Sequence, residues 1–68
     1  MKIGALGEFV ARRRKALGVT QSELAEISQV SLHTLSNIES GNGNPTLGNL
    51  YRVAAALGLN VELTVNKI

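Results

Sequence analysis

The stretch Thr20-Gln21-Ser22-Glu23-Leu24-Ala25-Glu26-Ile27-Ser28-Gln29-Val30-Ser31-Leu32-His33-Thr34-Leu35-Ser36-Asn37-Ile38-Glu39-Ser40-Gly41 decides the fold. Thr20 followed three residues later by Glu23 can form a capping box, in which each side chain accepts from the other residue's backbone N–H. A helix is therefore expected from near Gln21. Leu24, Ala25 and Ile27 give that helix a narrow apolar face, while Gln21, Ser22, Glu23 and Glu26 are left for solvent or ligand. Ser31 is the next N-cap signal. It opens a helix from Leu32 to about Ser40, and Gly41 follows as a left-handed stop. The spacing thus predicts two short helices joined by a tight turn.

Such a pair is a known device for reading DNA. At 3.6 residues per turn Leu35 and Ile38 point one way, and His33, Ser36, Asn37 and Ser40 share an opposite arc of about 100°. These outward groups are short and carry both donors and acceptors, which suits base edges in a major groove. Asn37 lies centrally on the arc, and an amide pairs well with adenine. His33 is open to a base or phosphate contact or to a plain surface role. Catalysis by His33 with Ser36 lacks an orienting carboxylate. Leu32, at the head of the helix, can touch a thymine methyl or pack back on the preceding helix. Gln21 stands where free N–H groups and the helix dipole favour an anion such as a phosphate, the alternative being a solvated first-turn residue.

The succession Thr20-Gln21, Leu24-Ala25, Val30-Ser31, Leu35-Ser36 and Glu39 before Gly41 resembles the Cro/repressor-type (XRE) helix-turn-helix family. The resemblance covers residues 6 to 58, with Leu17-Gly18 ahead of the motif and Pro45-Thr46-Leu47, Leu50 and Ala54 behind it. It implies that Gln21 anchors the DNA backbone, and that Ser31, Leu32, His33, Ser36, Asn37 and Ser40 lie on or beside the reading face. It further implies that Arg14 pairs with Glu39, the alternative being two independent surface charges. Gln29 departs from the family pattern, which usually has glycine there. If the position requires positive φ, a Cβ costs about 1 kcal/mol; otherwise the turn is reshaped.

Composition narrows the alternatives. The 68 residues include no cysteine, no aspartate and one histidine, so neither a thiolate metal site nor an Asp-based triad can be assembled, and no cofactor is expected. A single small domain is expected, and cores of this size commonly lean on a partner subunit. The net charge of +2 and pI near 9.5 are compatible with nucleic acid. No apolar run is long enough for a signal peptide or a membrane span, which points to the cytoplasm. The family resemblance implies a bacterial or phage protein, nucleoid-associated when bound to DNA.

Outside the motif, Leu6, Val10 and Leu17, with Ile3 upstream, predict a first helix from about Ala5 to Leu17, ended by Gly18. Its run Arg12-Arg13-Arg14-Lys15 fans round the axis, as solvated surface or as phosphate contacts. Gly41-Asn42-Gly43-Asn44-Pro45 is a turn-rich loop with no preceding strand, so it is no nucleotide fingerprint. Asn42 and Asn44 can donate to phosphate, or the loop is a plain connector. Thr46 then caps a helix whose face is Leu47, Leu50, Val53, Ala54 and Leu57, with Gly58 as its stop.

Beyond Gly58 the pattern changes. Leu59, Val61, Leu63 and Val65 alternate with Asn60, Glu62, Thr64 and Asn66, a period of two that predicts a strand. A lone strand leaves its ladder unpaired, so two copies are expected to meet as an antiparallel ribbon; a frayed tail is the alternative. The fold expected is mainly α, a repressor-type bundle of four helices. Residues 1–58 form the DNA-binding domain and 59–68 a C-terminal dimerisation strand. That strand resembles the one through which HipB-like antitoxins dimerise. The resemblance implies an autoregulating repressor of a toxin-antitoxin module, with a toxin partner such as a HipA-like kinase and an operator of two half-sites. The alternatives are a stand-alone phage-type or metabolic regulator and a protein-interaction module without specific DNA binding. No enzyme is expected.

Overall fold

The computed structural model describes residues 3–65. Four helices follow in order: α1 (Ile3–Ala16), α2 (Gln21–Ser28), α3 (Leu32–Ser40) and α4 (Leu47–Ala56). Each start behaves as its residues require. Thr20 Oγ1 accepts from Glu23 N at 3.1 Å while Glu23 Oε1 accepts from Thr20 N at 3.0 Å, completing the capping box. Ser31 and Thr46 cap α3 and α4 in the simpler way, by accepting from Thr34 N and Asn49 N.

The helix ends share one device. Gly18, Gln29, Gly41 and Gly58 all take positive φ, and the amide of the residue after each returns to a carbonyl in the last helical turn. In three of the four that following residue, Val19, Val30 and Leu59, is apolar and packs on the core. The stop and the start of the next segment are thereby joined in one packing event. Gln29 keeps the left-handed geometry, φ 59° and ψ 38°, so the turn is not reshaped around its side chain.

Val10, Leu24, Ala25, Leu35, Ile38, Val53 and Leu57 form the buried cluster, drawn from all four helices and the α4 cap. α1 packs on α3, and α2 on both α3 and α4. Gly7 makes the first contact possible: a Cβ there would collide with the backbone carbonyls of Ile38 and Glu39. Close approach therefore requires glycine in mid-helix, despite its helix-propensity cost.

Several expectations are corrected. α1 begins at Ile3, ahead of Ala5, and ends one residue before Leu17; the side chain of Ile3 lies outside the described residues. Leu17, Ile27 and Leu47 are exposed. Leu17 follows the last helical residue, and Leu47 sits at the free end of α4. On α2 the buried set is Leu24, Ala25 and Ser28, so Ile27 turns outward. Ser28 is tolerated inside because its hydroxyl donates to Leu24 O at 2.6 Å.

No strand forms among the described residues. A ladder needs a second strand, and the chain by itself supplies none. The Leu59 amide donates instead to Ala54 O at 2.8 Å. Leu59 and Val61 line an apolar groove with Leu6, Phe9, Leu50 and Ala54, whereas Leu63 and Val65 are 92% and 96% exposed. Residues 66–68 of the expected strand segment lie outside the described residues.

Candidate nucleic-acid interface

α3 is held by its inner side. Leu35 and Ile38 are buried, and Ser31, His33, Ser36 and Ser40 are exposed, with Asn37 half-buried between them. The outward arc thus matches the expected one. Leu32 is 48% exposed and does not pack back fully on α2. The side chains on the arc are also partly ordered by one another. Asn37 Nδ2 lies 3.2 Å from His33 Nε2, one turn away, and the Ser40 hydroxyl donates to Asn37 O at 3.3 Å. Ser31 is the least available, since its hydroxyl accepts from Thr34 N and donates to Thr34 Oγ1 at 2.8 Å.

Behind this face lies the pair expected from Arg14 and Glu39. Arg14 Nε donates to Glu39 Oε2 at 2.7 Å and Nη2 to Oε1 at 3.0 Å, a bidentate fork with the two side chains only 11% and 7% exposed. Arg14 Nη1 also donates to Val19 O at 2.8 Å. One guanidinium therefore ties α1 to the entry of α2 and to the end of α3. Burial pushes the Glu39 carboxyl upward, but hydrogen bonds from Arg14 and Gln21 and the charges of Arg14 and Lys15 outweigh it and hold the group below the usual carboxylate range. The same hydrogen bond to Glu39 raises Arg14.

The Gln21 side chain is engaged within the chain. Its Nε2 donates to Glu39 Oε1 at 3.1 Å, making it the third member of the buried network. In the first turn of α2 the Glu23 N–H is taken by the Thr20 cap, which leaves those of Gln21 and Ser22 without intrahelical partners. Of the basic run, Arg14 is internal and Arg13 Nε donates to Leu57 O at 3.1 Å, satisfying a carbonyl at the end of α4. Arg12 and Lys15 stay exposed.

The loop after α3 is brought onto the same side. Asn37, Asn42, Asn44 and Thr34 line a shallow pocket of mixed polarity together with Ile38, Pro45, and Thr46 and Asn49 at the N-terminus of α4. Asn49 and Thr34 line it beside the residues expected from the sequence. Thr46 is legible there only as a cap, because the sequence does not reveal that the loop folds the start of α4 back beside α3. Among the described residues no three His, Cys, Asp or Glu side chains cluster to hold a metal, and no helix is long and apolar enough to cross a membrane.

The fold and this face define a helix-turn-helix with a polar third helix. The profile of the helix-turn-helix family matches residues 10–63, and the chain belongs to that XRE-type family. It is 38% identical over 55 residues, 81% of its own length, to the cryptic phage CTXphi transcriptional repressor RstR of Vibrio cholerae serotype O1, of which it covers 49%. It is 44% identical over 59 residues to an uncharacterized HTH-type transcriptional regulator of Sinorhizobium fredii, covering 85% of this chain and 77% of that one. Against the immunity repressor protein of Bacillus phage phi105 the identity is 37% over 62 residues, 91% of this chain and 43% of the repressor. The chain thus spans about half the length of the first of these relatives.

Proposed function

We propose that the chain is a non-enzymatic, sequence-specific DNA-binding transcriptional repressor. The observation that carries this is the outward arc of α3, whose His33, Ser36, Asn37 and Ser40 stand in a row over a buried Leu35 and Ile38. α3 enters the major groove with Leu32, His33, Ser36 and Asn37 at base edges. Asn42, Asn44 and the N-terminus of α2 meet phosphates, with Gln21 orienting that terminus. Ser31 and Ser40 flank the contact, Ser31 chiefly as the cap of α3. Membership of the helix-turn-helix family and the repressor-named relatives support the reading.

Two copies act together on an operator with two half-sites, joined through the segment that holds Leu59, Val61, Leu63 and Val65, with the exposed Leu63 and Val65 as its contacts, in the cytoplasm and on the nucleoid when bound. Support for the pairing is the alternation along this segment and the full exposure of Leu63 and Val65 in the single chain. Of the two regulatory settings, the stand-alone phage-type repressor is favoured, because two of the relatives are phage repressors. The antitoxin setting, with a HipA-like kinase as toxin, rests on the terminal segment alone.

The test is selection of bound duplexes from a randomised library by the wild-type chain and by Asn37→Ala and Gln21→Ala. The wild type should enrich one motif. Asn37→Ala should relax preference at one base pair per half-site, and Gln21→Ala should weaken binding evenly across sites. Failure of the wild type to enrich any motif would favour a protein-interaction module.

A further inference from the structure

His33 and Asn37 stand one turn apart on the exposed arc of α3, with His33 Nε2 and Asn37 Nδ2 separated by 3.2 Å. A ring nitrogen accepts a hydrogen bond when it lacks a proton and donates when it carries one, so this contact has two hydrogen-bonded forms. In the first, an unprotonated Nε2 accepts one N–H of the Asn37 amide. The other N–H and Oδ1 are left facing outward as a donor beside an acceptor. That pair matches adenine, which offers N7 as acceptor and N6–H as donor in the major groove. In the second, a protonated Nε2 confronts the amide nitrogen with another donor. The amide turns over so that Oδ1 accepts from the ring, and only the NH2 group faces outward. Two donors match guanine, whose O6 and N7 are both acceptors.

We infer that His33 is a positioning residue that sets the base preference of Asn37, adenine when His33 Nε2 accepts and guanine when it donates. The inference rests on the proposal that α3 reads DNA. The two forms differ in whether Nε2 carries a proton, which pH or a substitution of His33 can change. Imidazolium excludes the accepting form, whereas neutral imidazole permits it through the Nδ1–H tautomer. The charged groups on the packed elements do not fix the choice. Arg14 of α1 is engaged by Glu39, and among the described residues none of Glu8, Arg12, Arg13 and Lys15 of α1, Glu23 and Glu26 of α2, or Arg52 of α4 forms an ion pair with His33.

The experiment is selection from a randomised duplex library at about pH 8 and about pH 5.5. The full chain, His33→Lys and Asn37→Ala are compared, with circular dichroism confirming that each variant is helical. The base pair read by Asn37 is the one whose preference disappears in Asn37→Ala. At that pair the wild type should favour adenine at the higher pH, and its adenine-to-guanine ratio should fall about tenfold at the lower, the scale of one bidentate match. His33→Lys, a permanent donor, should favour guanine at both. An unchanged ratio in the wild type overturns the inference, as does retention of every base preference in Asn37→Ala, since Asn37 would then read no base. Absence of any enriched motif at either pH defeats the DNA-reading proposal, and the inference with it. Enrichment without the shift defeats the inference alone.

Discussion

Two single residues carry unusual backbone demands. Gln29 holds φ at 59° in the turn between α2 and α3, where a Cβ is sterically penalised. Gln29→Gly should therefore raise stability by about 1 kcal/mol, less whatever the greater unfolded-state freedom of glycine offsets. Thermal melts at matched concentration check this, and a lower midpoint would show that the side chain stabilises the turn by more than its strain. Gly7 is the converse. Gly7→Ala replaces a poor helix former with the best one, yet its Cβ would meet the Ile38 and Glu39 carbonyls at the α1–α3 contact. We expect a loss of about 1–3 kcal/mol, the usual scale for overpacking, measured by urea unfolding. Gly4→Ala, where a Cβ meets nothing, is the control and should not destabilise.

At the scale of elements, the Arg14–Glu39–Gln21 network links three helices at the C-terminal end of α3. Removing one partner of a buried pair leaves the other uncompensated, so Arg14→Met should cost about 3 kcal/mol or more. A double-mutant cycle with Glu39→Gln should show coupling, and additive unfolding energies would mean that the two residues act independently. The carboxylate also makes stability depend on pH. The Glu39 pKa is lowered in the folded protein, so its contribution is fully present above the unfolded value of about 4.3 and is lost as pH falls through the folded value. Acid titration of stability should thus fall less steeply in Glu39→Gln than in the wild type. Equal slopes would assign the acid sensitivity elsewhere, with Glu23, lowered by its bonds to Thr20, the next group to examine.

For the whole molecule the open quantity is assembly. Leu59 packs on the core and its amide caps α4, so cutting after Gly58 would damage the domain as well as any interface. A truncation after Glu62 keeps those contacts and removes residues 63–68, including the exposed Leu63 and Val65. If two copies pair through this segment, the shortened chain should retain its helical signal and sediment as a monomer. It should also bind a two-half-site duplex far more weakly, because the second half-site contact loses its effective concentration. An undiminished dimer would place the interface elsewhere, with exposed Tyr51 and Leu47 of α4 the first surface to test.

What the sequence determined by itself is local. The capping box at Thr20, the caps Ser31 and Thr46, the stops Gly18, Gly41 and Gly58 and the outward arc of α3 follow from side chains acting on backbone within a turn or two. The Arg14–Glu39 pair was legible through family resemblance. Which apolar residues are buried at helix margins was not, because Ile27 and Ser28 differ by one step in rotation and only the position of α3 and α4 selects between them. The contact of Gln21 with Glu39 was also decided by tertiary structure, since its amide finds Glu39 eighteen positions away only after α3 has folded back. The same holds for Gly7, where the packed helices leave no room for a Cβ, and for the terminal segment. Alternation specifies two faces, but a strand exists only where another strand supplies its hydrogen bonds.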